Sequence, residues 1–177
     1  VLYDEMKESC LQFNEEFITK VEELIMDEIE KVYDAIELDH PEIFWLETYE
    51  TRKKWFTDAE INTNKTIKLY FNTTKEEAIE IKKRIEPNYQ RIIDVAKGLE
   101  DDYEKIKYVH DELINIGKYI KNDELYNHSM VSIFDTGETV CVGYSEGFKF
   151  IMDNLGIKAI SSWDITQEDE SKNHEWN

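Results

Sequence analysis

The feature that most constrains this chain is the segment 139–157, in which a single cysteine opens a helical pattern. Apolar residues follow Cys141 at three- and four-residue steps, which is the spacing of one helix face: Tyr144, Phe148, Ile151, Met152 and Leu155. Gly156 then predicts the helix end, because glycine adopts the left-handed cap conformation at little cost. A thiol in the first helical turn lies near unpaired N–H groups and the positive end of the helix dipole, which favour the thiolate. The segment therefore predicts a nucleophilic cysteine.

The composition predicts a packed globular protein. The chain has 177 residues, of which 41% are hydrophobic and 12% aromatic, with two prolines and six glycines. That length suits one sizeable core, or a core with a small appended domain, and the composition is not that of a disordered or fibrous chain. No apolar run approaches the roughly 20 residues that cross a bilayer, so we expect no membrane insertion.

The charge excludes one class of partner. The sequence has 40 acidic and 21 basic residues, for a formal net charge of -19. Such a field repels phosphate backbones and anionic lipid, so we expect no nucleic acid partner. The acidity identifies no other partner, since it also keeps a protein soluble.

The two cysteines, Cys10 and Cys141, are too few for a disulfide framework. No Cys or His cluster has the spacing of zinc ligands, and we expect neither a metal nor a cofactor. A bridge between Cys10 and Cys141 stays open at this point, and it would remove the free thiol.

We predict that residues 1–98 form an N-terminal region of helices with a small antiparallel sheet. Two apolar helical stripes lie within residues 1–39, joined somewhere between positions 14 and 19. The β-prone segments Ile43–Tyr49 and Thr66–Phe71 predict the sheet. A long helix then begins after Thr73 or Thr74 and ends at Gly98, and we expect Pro87 to kink or divide it.

Residues 99–177 predict a second region that contains the cysteine helix. Asp101 or Asp102 begins a helix, which is followed by a polar loop at 117–129. The residues expected to face inward from that helix are Tyr103, Ile106, Val109, His110, Leu113 and Ile114. After the cysteine helix, Lys158–Trp163 reads as a strand.

Four histidines are candidates for a base to Cys141. His40 precedes a helix-ending proline, His110 lies on an apolar helix face, and His128 lies in a polar loop. We therefore expect these three histidines to be structural. His174 follows the strand after the cysteine helix. A thiolate paired with a histidine on an adjacent strand is the arrangement of cysteine acyl-transfer catalysis. The chemistry alone leaves open that Cys141 and His174 are unrelated.

Four segments, in this order, resemble motifs of the transglutaminase-like superfamily as found in bacteria. They are Asp39–Trp45, Tyr108–Ile114, the cysteine motif within 140–157 and His174–Asn177. The cysteine motif reads V-C-V-G-Y and ends L-G-I, and the histidine motif reads H-E-W-N. The match is good over residues 100–177 and looser over residues 30–46.

The resemblance implies an α+β fold with a papain-like transglutaminase core, in which the nucleophile helix packs on an antiparallel sheet. It implies that Cys141 attacks an acyl carbonyl of a protein or peptide substrate to form a thioester, with His174 as general base and acid. The family's orienting aspartate follows the histidine on the next strand, so we expect it, and the remaining core strands, beyond Asn177. Asp164 and Asp169 precede His174 and do not match that position.

Several alternatives stay open. A peptidase and a protein-crosslinking transglutaminase share the thioester and differ only in whether water or an amine resolves it. A non-catalytic interaction module that keeps the fold is a reading from a different class, and an ordinary helical scaffold is a weaker one. The resemblance also implies an exported protein on the surface of a Gram-positive bacterium. Nothing in the sequence indicates an oligomeric state.

Overall fold

The structure is a computed structural model that describes residues 1–23, 26–47, 65–122, 124–164 and 174–177. Its helices are α1 (Leu2–Gln12), α2 (Met26–Asp39), α3 (Lys75–Lys97), α4 (Asp102–Ile116), α5 (Met130–Asp135) and α6 (Cys141–Leu155). Its strands are β1 (Glu16–Ile18), β2 (Thr66–Lys68), β3 (Lys118–Tyr119), β4 (Glu138–Thr139), β5 (Ser162–Asp164) and β6 (His174–Trp176). Helices and short strands mix along the chain, which confirms the α+β class.

The strands pair two by two. β1–β2 and β5–β6 are antiparallel, whereas β3–β4 is parallel. Packing divides the chain into two compact units, residues 1–78 and 79–177, so that α3 begins in the first and continues in the second. The functional boundary expected at residue 98 stays a prediction. Among the described helices, none has the length and apolar character to cross a membrane.

The first unit packs α1 and α2 around an aromatic core. The indole N–H of Trp45 donates a hydrogen bond to the Cys10 carbonyl at 2.9 Å, and its ring stacks on Phe13 at 4.8 Å. Cys10 is fully buried, and this burial raises the pKa of its thiol to about 12. Cys10 and Cys141 are both free, so the bridge that the sequence left open is not formed.

The small sheet of this unit has a different first strand from the one the sequence predicts. β2 pairs with β1. The sequence predicts only a join between two helices where β1 lies. Residues 43–47 contain no strand. Among them, Leu46 forms an isolated antiparallel bridge with Phe71. The rest of the predicted Ile43–Tyr49 segment lies outside the described residues. A strand as short as β1 shows no alternation in the sequence, because its pairing depends on the partner.

Helix α3 runs from Lys75 to Lys97 without interruption, so Pro87 does not divide it. A reciprocal cap begins the helix, which confirms Thr74 as the N-cap. The amide of Glu77 donates to Thr74 Oγ1 at 3.3 Å, and the amide of Thr74 donates to Glu77 Oε2 at 3.1 Å. The helix is buried on both sides of Pro87, at Ile85, Ile92 and Ile93.

Helix α4 begins as predicted but buries a narrower face. The Asp101 carboxylate caps it by accepting the Glu104 amide at 2.8 Å. Only Val109 and Leu113 are buried. The predicted inward residues that are exposed are Tyr103, Ile106, His110 and Ile114. The expectation of a core histidine at His110 is therefore wrong, and its ring contacts the adjacent Asp111 carboxylate at 3.1 Å instead.

Helix α6, which Cys141 opens, packs against α4, α5 and β6 in the second unit. Its apolar residues Ile151 and Met152 are buried, while Tyr144 is only half-buried. The close contact with α5 requires a residue without a side chain. A Cβ added at Gly147 would lie 2.8 Å from a side-chain carbon of Ile133. Gly156 ends the helix at a φ of 73°, as predicted.

Candidate functional site

Cys141 is the first residue of α6, and its side chain is half-buried. The preceding Val140 is the N-cap residue and offers no side-chain acceptor to the first-turn amides. The first-turn amides therefore have no capping side chain and can stabilise negative charge at the helix start. The prediction that Cys141 opens a helix is confirmed, and its role as a nucleophile stays a prediction.

A buried polar cluster fixes the start of α6. The Ser132 hydroxyl lies 2.6 Å from Thr139 Oγ1 and 2.8 Å from the Ser129 carbonyl oxygen. Gly143 packs directly on this cluster, since an added Cβ would lie 1.9 Å from Thr139 Oγ1 and 2.9 Å from the Ser129 carbonyl. The glycine two positions after Cys141 is therefore required by close approach.

Asn127 holds β3 and β4 together just ahead of the cysteine. Its buried amide donates to the carbonyl of Ile120 at 3.0 Å and to that of Glu138 at 3.2 Å. The backbone amide of Ile120 also donates to the Thr139 carbonyl at 2.9 Å. This parallel pairing places Tyr119 opposite Thr139, beside the helix start.

Tyr119 is the residue of the site that sequence reasoning missed. The pKa of its phenol is raised, first by burial and then by the charge of the Cys141 side chain and a hydrogen bond with it. The Cys141 backbone N–H acts in the opposite sense and lowers that pKa. The phenol therefore lies near the thiol and the amide of Cys141, as the pairing of Tyr119 with Thr139 also indicates. The only sequence signal was the β-prone pair Tyr119-Ile120 within an otherwise polar stretch.

His174 opens β6, the strand that packs against α6. Its ring stacks on Trp176, with 6.0 Å between the centroids and 25° between the planes. The structure thus brings the two elements of the predicted pair together. In the described part of the chain, no hydrogen bond joins the ring of His174 to the thiol of Cys141.

Glu175 is the buried carboxylate of β6. One of its oxygens accepts the indole N–H of Trp163 at 2.6 Å, and the other has no hydrogen-bond partner among the described residues. Burial raises the pKa of Glu175, and the nearby Ser145, Trp163 and Ser161 side chains lower it by less. Ser145 lies one helical turn after Cys141, so the Glu175 side of β6 faces the first turns of α6.

The other histidines lie on other segments of the chain. His40 follows the end of α2 and directly precedes the turn at Pro41, in agreement with the prediction from the sequence. Its ring lies 2.9 Å from the Glu42 carboxylate. His128 is exposed and lies just before α5. Within the described ranges, no group of three or more His, Cys, Asp or Glu side chains is arranged to hold a metal ion.

No protein-family model matches this chain, and no curated protein is significantly similar to it. What the site can do follows from its own chemistry. A thiol at an uncapped helix start, with a backbone N–H and a phenol beside it, can attack a carbonyl carbon and stabilise the resulting oxyanion. His174, on the strand packed on that helix, is the candidate base.

Proposed function

We propose that this chain is a cysteine-dependent acyl-transfer enzyme with a papain-like, transglutaminase-like core. Its substrates would be peptide or glutamine amide bonds. The observation that supports this best is the surroundings of Cys141. Its thiol lies at the uncapped start of α6, the Tyr119 phenol lies beside it, and the strand of His174 packs on the same helix.

The reaction would proceed through a thioester. His174 accepts the thiol proton as Cys141 Sγ bonds to the acyl carbon, and the carbonyl oxygen becomes an oxyanion. The Cys141 amide and the Tyr119 hydroxyl then stabilise that charge, and such a donor contributes about 10²–10³-fold to the rate. The C–N bond breaks, and the departing amine takes its proton from His174. Water or a second amine attacks the thioester and restores the thiol.

The separation of His174 from the thiol is compatible with this role. Catalytic hydrogen bonds in the absence of substrate are often long, and they tighten only in the complex. Trp176 stacks on the ring, which restricts its rotation on the strand. His174 and the buried Glu175 project from opposite faces of β6, so the catalytic arrangement would need β6 to shift on α6 when substrate binds.

Thiol reactivity tests the nucleophile directly. Iodoacetamide at neutral pH should label Cys141 much faster than Cys10, because Cys10 is buried and its thiol pKa is raised to about 12. Peptide mass spectrometry would measure both rates in one sample. Cys10→Ala serves as the control and should keep the fast phase, whereas Cys141→Ala should lose it. Labelling of Cys141 no faster than a model peptide thiol would overturn an activated nucleophile.

Turnover tests the reaction. A glutamine peptide with a fluorescent primary amine reports amide exchange, and the same peptide without the amine reports hydrolysis. Cys141→Ala should abolish both, and His174→Ala should lower the rate by about 10²–10⁴-fold, the usual contribution of a general base. The ratio of exchange to hydrolysis decides between a transglutaminase and a peptidase.

A second candidate is a non-catalytic interaction module with the same fold. The observation that favours it is that His174 stacks on Trp176 and shares no hydrogen bond with Cys141 within the described residues. This candidate predicts slow labelling of Cys141 and no turnover of either substrate. Fast labelling that depends on His174 would exclude it, since an interaction module has no need of a base.

A further inference from the structure

The β5–β6 hairpin places an acidic residue directly opposite His174. Its antiparallel register pairs Ser162 with Trp176, Trp163 with Glu175 and Asp164 with His174. Directly opposed residues of an antiparallel pair have Cβ atoms about 4.5–5.5 Å apart on the same face of the sheet. A carboxylate and an imidazole at that separation can reach each other by side-chain rotation alone.

The neighbouring pair demonstrates this reach in the same hairpin. Trp163 and Glu175 are also directly opposed, and their side chains form a hydrogen bond of 2.6 Å. Because side chains alternate along a strand, Asp164 and His174 lie on the other face from this pair. Trp176 shares that face with His174, and the two rings stack. The imidazole therefore has an aromatic neighbour along its own strand and a carboxylate neighbour across the ladder.

We propose that Asp164 is a positioning residue for His174, which rests on the proposed acyl-transfer function. Its carboxylate would accept one ring N–H and so fix the tautomer whose other nitrogen takes the proton of Cys141. It would also stabilise the imidazolium that forms when that proton arrives. The ring of His174 has no hydrogen bond of its own within the described part of the chain, so both of its nitrogens are open to these partners.

This assignment departs from the order that the family resemblance implies, in which the aspartate follows the histidine. Asp164 precedes His174, and for that reason the sequence did not indicate it. An antiparallel hairpin reverses the chain direction, so a residue before the histidine lies beside it as readily as one after it. Asp169 lies outside the described residues.

The test combines a spectroscopic measurement with kinetics. Long-range ¹⁵N correlation spectra of histidine-labelled protein report the tautomer of the neutral ring, and His174→Ala identifies its signals. Asp164→Asn should change the tautomer ratio of His174 and lower kcat by about 10²-fold or more, with KM changed less than about twofold. Asp164→Glu should restore part of both. Ser162→Ala, on the same face of the same strand, is the control and should change neither.

The outcomes separate this proposal from the function on which it rests. An unchanged tautomer ratio in Asp164→Asn overturns the proposal, whatever the activity. A changed ratio with an unchanged kcat overturns the positioning role. If the wild-type chain has no turnover, the proposed function fails, yet the tautomer ratio still decides whether the carboxylate holds the ring.

Discussion

Tyr119 lies opposite Thr139, two residues before Cys141, and the thiol and backbone amide of Cys141 both act on the pKa of its phenol. Under the proposed function, this phenol is a donor to the oxyanion. Tyr119→Phe removes only that hydroxyl, from a residue that is 65% exposed, so the fold should be kept. We expect kcat to fall by about 10²–10³-fold with little change in KM, because the lost donor acts in the transition state. Steady-state kinetics with the glutamine peptide would measure it.

Tyr103→Phe is the control for Tyr119→Phe, since Tyr103 is also an exposed tyrosine in the second unit, on α4. It should leave kcat unchanged. A kcat of Tyr119→Phe within about twofold of wild type would mean that the phenol only packs beside the thiol.

The buried carboxyl of Glu175 predicts a pH-dependent stability. Its pKa is raised by burial, so the folded protein favours the neutral acid. Its contribution to stability is therefore full below the unfolded pKa and is lost as pH rises through the folded pKa. Glu175→Gln resembles the neutral acid. We expect its free energy of unfolding, relative to wild type, to increase as pH rises from about 4 towards neutrality.

Urea unfolding at several pH values would measure this difference. Glu124→Gln makes the same chemical change at an exposed position and is the control. The prediction would be contradicted if the difference in unfolding free energy between wild type and Glu175→Gln stayed constant at every pH. A proton linked to unfolding must change how the free energy of unfolding varies with pH.

The contact of Gly143 with the Ser132–Thr139 cluster predicts a strict requirement for glycine. Gly143→Ala would push a Cβ against Thr139 Oγ1 and the Ser129 carbonyl, so we expect it to lower the free energy of unfolding by about 1–3 kcal/mol. Chemical denaturation would measure the loss. Gly98→Ala is the matched control, because there the nearest atom to an added Cβ is 3.4 Å away. Equal free energies of unfolding for the two variants would show that the cluster accommodates the added methyl group without loss of stability.

The two hydrogen bonds that the Asn127 amide donates predict that this residue helps to position Tyr119. Asn127→Ala would leave the carbonyls of Ile120 and Glu138 without their donor, at a cost of about 1–3 kcal/mol in stability. We also expect a lower kcat, because β3 carries Tyr119. Asn154→Ala, which removes an exposed amide bonded to the Phe150 carbonyl, should change stability far less. A kcat of Asn127→Ala equal to that of wild type would show that these hydrogen bonds do not determine the position of Tyr119.

The sequence predicted best where a pattern is local and repeated. Cys141 and Gly156 mark both ends of α6 because helical periodicity and the glycine stop are written in neighbouring residues. Thr74 and Asp101 cap their helices for the same reason. The His110 prediction failed because periodicity shows which residues share a face, and not how much of that face another element covers.

The short strands escaped prediction because two or three residues carry no alternation. β3 is only Lys118–Tyr119, and its place beside β4 depends on Asn127 and on backbone pairing. For that reason Tyr119 was invisible as a member of the site. Asp164 was set aside on chain order, although the register of the hairpin, which no sequence pattern encodes, brings it opposite His174.

The parallel pairing of β3 and β4 has a consequence for folding order. Tyr119, Asn127, Ser132 and Thr139 all lie within the stretch that begins at β3 and ends at Cys141. Closing so short a loop costs little chain entropy, so this end of the site can form early as a local unit. The β5–β6 hairpin must dock afterwards. During synthesis the segment that carries the thiol emerges before the strand that carries His174, so the growing chain would hold the thiol without its proposed base until β6 has emerged.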